Sequence, residues 1–201
     1  MPSTAWCKKR VIIRHYDKLA STYDTLYRDE QGLKIEHILR HVSIHDSDLA
    51  LDAGCGTGFL FKYIHNHVCH IVGVDLSKGL LKVALSHIKQ SGIKTISLIR
   101  ADVDFLPFKE QVFDKVFALT LLQDSSKLDE TLREILRTAK DESTIVVTGL
   151  KKVYSEASFK QSLTKASLES KILLTSEQVK DIIAVCWKHK NTSMMQEDYP
   201  D

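Results

Sequence analysis

The apolar positions of this chain change their period along its length. Between residues 8 and 42, Val11, Ile12, Tyr16, Leu19, Tyr23 and Leu26 recur at helical spacing, and Leu33, Ile35, Ile38, Leu39 and Val42 repeat the pattern. That spacing predicts two helices separated at Gly32. From residue 48 short apolar runs alternate with helical patterns: LALDAG, TGFLFKYIHNHV, HIVGVD, SKGLLKVALSHIKQSG and TISLIRAD read as a βαβαβ series. The strand FDKVFALT, the helix SKLDETLREILRTA, the strand STIVVTGL and a helix through SEASFKQSLTKAS continue it. Such alternation implies a parallel sheet with helices on both faces. The end breaks the rule. ESKILLT and DIIAVCWKH are separated by SEQVK alone, too few residues for a helical crossover, so they should pair antiparallel and reverse one strand. Residues 190–201 have no periodicity and read as a flexible tail.

Composition narrows the class. At 201 residues, 43% hydrophobic and 27% charged, the chain suits one folded, water-soluble domain. Lys and Arg number 28 against 26 Asp and Glu, so no global field selects nucleic acid or anionic lipid, and any basic patch must be local. Cys7, Cys55, Cys69 and Cys186 form no CxxC pair and read as free thiols of a reducing compartment. No stretch approaches the roughly 20 apolar residues of a membrane span, and Val11 to Ile13 is too short for a signal-peptide core. A cytoplasmic protein with no membrane association is expected. The run His65-Asn66-His67-Val68-Cys69-His70 has no second Cys/His pair at matching spacing, so no metal site is expected.

The first strand runs into Leu51-Asp52-Ala53-Gly54-Cys55-Gly56-Thr57-Gly58 before a helix opens. Glycines there let the chain turn sharply and let a ligand approach main-chain N–H groups. The spacing is GxGxG, and Phe59 stands where the dinucleotide fingerprint needs its third glycine, which disfavours a pyrophosphate cradle. The second strand ends at Asp75, 21 residues beyond Gly54, where a carboxylate can accept hydrogen bonds from both hydroxyls of a ribose. The third ends at Asp102, an acid on the same rim suited to an adenine amino group.

These motifs, with RADVDFLPF at 100–108 and FDKVFAL at 113–119, resemble those of the class I S-adenosylmethionine-dependent methyltransferases over residues 16–189. The resemblance implies a Rossmann-like α/β fold with seven strands in the order 3-2-1-4-5-7-6, strand 7 antiparallel. It implies one methyltransferase domain over 1–189, with 8–42 as an N-terminal helical lid and 48–189 as the core. It also implies S-adenosylmethionine as cofactor and S-adenosylhomocysteine as product. Gly54 and Gly56 would lie against its methionine and ribose parts, with Asp52 positioning the amino-acid end. Asp75 would hold the ribose hydroxyls, Leu76 would pack on adenine, and Asp102 and Val103 would bind the adenine edge. Leu119 and Thr120 would stand near the transferred methyl, and Tyr16 and Tyr23, seven apart on one helical face, would lean over the cofactor or pack in the core.

Because a sulfonium methyl is already activated, alignment matters more than a general base. After the fourth strand stand Thr120-Leu121-Leu122-Gln123-Asp124, without the N/D-P-P-Y/F motif of many N-methyltransferases or the Pro-Cys pair of cytosine-C5 enzymes. Gln123 or Asp124 can orient or deprotonate an acceptor, and Asp124 or Ser125 can equally cap the next helix. Lys8, Lys9, Arg10, Arg14, Lys151 and Lys152 can guide a polyanion or simply be solvated. No long insertion follows the fourth or fifth strand, and such an open site suits an RNA or protein acceptor. A small molecule closed over by the N-terminal helices, or a catalytically silent partner subunit of the same fold, is the alternative. The third strand, 95–100, should be an edge strand that a small activator subunit can extend.

Overall fold

The structure, a computed structural model, describes residues 4–188; the tail expected at 190–201 lies outside them. Thr4–Leu19 (α1) and Tyr23–Leu39 (α2) are the N-terminal helices, and the break falls at 20–22 instead of at Gly32. At Thr22 both the backbone N–H (3.0 Å) and the hydroxyl (3.2 Å) turn back to the Leu19 carbonyl, a local bond that competes with helix continuation. Gly32 sits inside α2, where a Cβ would stand 3.0 Å from the Tyr63 hydroxyl, so it marks a close packing contact. Tyr16 and Tyr23 therefore lie on different helices, not on one helical face.

The core elements follow as Leu49–Ala53 (β1), Phe61–Ile64 (α3), His70–Asp75 (β2), Lys78–Ser91 (α4), Ile96–Arg100 (β3), Phe113–Ala118 (β4), Leu128–Thr138 (α5), Ala139–Leu150 (β5), Glu156–Lys165 (α6), Leu168–Leu173 (β6) and Asp181–Lys188 (β7). They form one seven-stranded sheet in the order β3-β2-β1-β4-β5-β7-β6, with β7 antiparallel to both β5 and β6. This is the expected Rossmann-like topology. Its central strands are apolar on both faces because helices cover both. On one side Leu51, Val116 and Val147 meet Leu132, Ile135, Phe159 and Leu163 of α5 and α6. On the other, Ala50, Ile71, Phe117 and Val146 meet Ile35 and Ile38 of α2, Phe61 and Ile64 of α3 and Ala84 of α4.

The helix expected over TGFLFKYIHNHV shrinks to the single turn of α3, because 54–60 form the glycine turn. Among the described residues no helix is long and apolar enough to cross a membrane. Since the order reverses between β1 and β4, a crevice opens at the carboxyl ends of the strands.

Candidate active site

One wall of the crevice is built from backbone. The N–H groups of Gly54 and Cys55 both bond the Val74 carbonyl, at 2.8 and 2.9 Å, which folds the turn after β1 over the end of β2. Gly54 and Gly56 have φ of +80° and +55°, conformations that favour glycine, and a Cβ on Gly56 would meet Leu80 alone, at 3.9 Å. Asp75 ties the turn to the next element: Oδ2 accepts from Gly56 N (2.9 Å) and Oδ1 from Ser77 N (2.8 Å). Burial pushes the Asp75 carboxyl up, against the downward pull of those donors. Asp52 is buried beneath the turn and accepts no hydrogen bond from a described residue. Desolvation, helped by the Asp75 charge, pushes its carboxyl up to about 8.

The opposite wall is built from side chains of the N-terminal helices. α1 lies across three strand tips and bonds each of them. Near its start, Lys9 Nζ donates to both Asp102 oxygens (2.7 and 2.6 Å) and to Asp104 (2.5 Å). Tyr16 donates its hydroxyl to Asp124 Oδ2 at 2.7 Å. Asp17 Oδ1 accepts from Ser77 Oγ (2.6 Å) and Gly79 N (2.7 Å) at the start of α4. Burial, with the bond to Asp124, raises the Tyr16 phenol well above its ordinary range. Lys9, read from the sequence as guiding a polyanion or simply solvated, is instead turned inward. Asp104 beside it is buried and accepts from Thr131 Oγ1.

Behind this wall is a cluster the sequence did not announce. Lys34 of α2 is completely buried, paired with the equally buried Asp181 at the start of β7. Its ammonium also donates to Thr120 Oγ1 (2.6 Å) and Gln31 Oε1 (3.3 Å). Thr120 has φ +55°, a left-handed conformation costly for a β-branched residue, and its N–H bonds Thr148 Oγ1 at 2.8 Å. The pair, Thr148 and Gln31 together hold the turn after β4 in that conformation. Nothing in the apolar pattern flagged Lys34, because it sits between Leu33 and Ile35 where a solvated lysine reads naturally.

The two walls enclose a cleft of about 810 Å³, counted with its open mouth. Of the residues expected at the site, Tyr16, Tyr23, Gly54, Gly56, Asp75, Leu76, Asp102, Val103, Leu119, Thr120 and Asp124 line it. Asp52 lines an adjoining recess of about 360 Å³ with Tyr23, Gln31 and Cys55. Gln123 lines neither; its amide donates to the Thr120 carbonyl at 2.5 Å. Among the other residues that line the cleft, Lys9, Ile12, Ile13 and Thr131 are not ones the sequence points to.

A family profile described as a methyltransferase domain matches residues 44–199. The chain belongs to that family. It has the class I methyltransferase fold, and membership of that family implies S-adenosylmethionine as its cofactor. Among curated relatives, an uncharacterized protein of Methanocaldococcus jannaschii is 33% identical over 141 residues, which are 70% of this chain and 52% of that protein. A demethylmenaquinone methyltransferase of Thermobifida fusca is 27% identical over 143 residues, 69% of this chain and 60% of the relative. The chain thus spans a little over half the length of the curated relatives it matches. Among solved structures, the Haloferax volcanii complex of the Trm112 methyltransferase activator with a methyltransferase superposes with a TM-score of 0.76 at 16% identity, covering 86% of this chain and 97% of that one. At that identity the likeness concerns the fold of this methyltransferase alone.

Proposed function

We propose that the enzyme holds S-adenosylmethionine along the tips of β1, β2 and β3 and transfers its methyl group to an RNA nucleoside presented beside Thr120 and Asp124. The observation that carries this reading is the pair of carboxylates, Asp52 buried and Asp75 half-buried, set on either side of a glycine turn. Asp52 has no partner among the described residues, and an ammonium group such as that of the cofactor's methionine would supply the missing charge. Both Asp75 oxygens already accept a main-chain N–H, and a carboxylate oxygen has a further lone pair for a ribose hydroxyl. Gly56 leaves clear the space a Cβ would fill. Ile12, Ile13, Leu76 and Val103 give the cleft apolar faces for a purine.

The cofactor supplies a methyl group on a positively charged sulfur, open to in-line displacement. The protein's part is to align the acceptor and exclude water. The Lys34 cluster fixes the Thr120 turn. Asp124, oriented by the Tyr16 hydroxyl, is placed to accept the proton that the acceptor releases. Residues 8–42 supply the lid in this reading, and α1 is the part that covers the cleft.

A second reading is a free small acceptor, favoured by the three polar contacts that hold α1 across the cleft. The Thermobifida fusca relative carries the name of such an enzyme. At the edge of the sheet, α4 and β3 leave a groove in which Leu81, Leu85, Ile88, Ile96 and Leu98 stand with the cations Lys78, Lys82 and Arg100, and a small activator subunit adding a strand there is a further part of the proposal. The Haloferax neighbour was solved with an activator of its own. Ile96→Lys should then abolish partner recovery; undiminished recovery would remove the activator.

Methyl-labelled S-adenosylmethionine incubated with the protein and cell extract, followed by separation into RNA, protein and small molecules, tests the reaction. Label in RNA is expected. Label among small molecules supports the second reading, label in protein overturns both, and none in any fraction points to a silent subunit.

A further inference from the structure

The near-neutral composition conceals a strongly polarised surface. The whole chain balances 28 basic residues with 26 acidic ones. Yet α1 and α4, which touch through Asp17 and Gly79, contain a single acid between them, Asp17 itself. That acid is engaged by Ser77 and Gly79. Arg10, Arg14 and Lys18 recur at i, i+4 along the exposed side of α1, and Lys78, Lys82 and Arg100 extend the cationic surface over α4 and the tip of β3. Arg10, Arg14 and Lys18 enter no ion pair with a described residue. Like charges four apart destabilise a helix by a few tenths of a kcal/mol per pair, so folding gains nothing from this arrangement. Two aromatic side chains stand exposed beside it: Trp6 on α1, and Phe105, which is 71% exposed with Lys9 Nζ 5.8 Å from its ring centroid.

We infer that this face is the docking surface for single-stranded RNA, resting on the reading of the cleft as the site of transfer to a nucleoside. A row of unpaired cations tracks a phosphate backbone, and exposed aromatic faces offer stacking platforms for bases. α1 carries the phosphate row on its outer side and Lys9, Ile12, Ile13 and Tyr16 of the cleft on its inner side, so one helix joins the docked strand to the reacting nucleoside. An anionic membrane fits less well, because the large apolar residues of α1 other than Trp6 and Val11 are turned inward.

The test is fluorescence anisotropy with a labelled single-stranded RNA of about 20 nucleotides, longer than one binding site. Wild type and two triple variants would be compared: Arg10→Glu/Arg14→Glu/Lys18→Glu on α1, and Lys160→Glu/Lys171→Glu/Lys180→Glu as an equal charge change on α6, β6 and the segment before β7. Wild type should bind with an affinity that falls steeply with salt. The α1 variant should bind at least tenfold more weakly, with a salt slope lower by about 1 for each lost phosphate contact, and the second variant should bind like wild type. If the α1 variant does not fold, its Gln counterpart replaces it. Calorimetry with S-adenosylmethionine on the same proteins should show equal affinities. Absent RNA binding, or an equal loss in both variants, overturns the docking surface even where cofactor binding stands. So does binding of phosphatidylserine vesicles without binding of RNA. Failure of wild type to bind S-adenosylmethionine overturns the reading of the cleft instead.

Discussion

The two walls of the cleft are made in opposite ways. The glycine wall is local and its donors are backbone: Gly56 N, in the turn after β1, and the Asp75 carboxylate, at the end of β2, which close it, are 19 residues apart. The helical wall is made of side chains drawn from far along the chain, with Lys9 and Asp102 separated by 93 residues, Tyr16 and Asp124 by 108, and Lys34 and Thr120 by 86. Backbone donors on rigid strands suit a ligand that is always the same. Side-chain contacts on helices can be made and broken, which suits a wall that must open to admit an acceptor.

The sharpest way to break this contrast is at Lys34. Lys34→Met leaves Asp181 buried without its partner and should cost about 3–5 kcal/mol, read from denaturant unfolding. Replacing both members, Lys34→Met with Asp181→Leu, should recover most of that loss. A single variant of near wild-type stability would show that the helical wall does not depend on the pair.

The glycine wall has a pH signature. With its carboxyl pushed up to about 8 in the folded state and near 3.9 in the unfolded chain, Asp52 binds a proton on folding. Its contribution therefore opposes folding increasingly as pH rises from about 4 to 8, at about 1.4 kcal/mol per pH unit between the two values, and Asp75 acts in the same direction. Unfolding of the ligand-free protein across this range should show the decline, and Asp52→Asn should flatten it. A similar slope in that variant would assign the effect elsewhere.

A backbone change in the same wall should cost less. Gly58 has φ +82°, and a Cβ there would stand 2.4 Å from the Phe61 ring, so Gly58→Ala should cost about 1–3 kcal/mol. Smallest is Tyr16→Phe, which removes one bond from α1. About 1 kcal/mol is expected, seen as roughly fivefold faster hydrogen exchange in α1 with no change in the sheet.

The same contrast explains what could be read from the sequence. The alternation of strands and helices, the reversed β7 and the glycine turn are legible because each depends on period or spacing within a few tens of residues, whereas the sheet order rests on the family resemblance. The break between α1 and α2 was placed at Gly32 because a glycine in helical pattern looks like an ending. Its actual role, close packing on Tyr63, depends on a residue 31 positions away. Lys9 reads as solvated for the same reason: a charge is known to be buried only when its partner is known. Lys34 and Asp181 carry no local signal at all, and Gln123 resembled an acceptor-facing residue until its amide was found on the Thr120 carbonyl.

The central claim is that the glycine wall binds S-adenosylmethionine through Asp75. Isothermal titration calorimetry of wild type and Asp75→Ala tests it most directly. One molecule of S-adenosylmethionine should bind per chain, and the variant should bind at least about tenfold more weakly, since each charge-assisted hydrogen bond contributes about 1.5–3 kcal/mol. Unchanged affinity in Asp75→Ala, or no binding by wild type, would contradict the account.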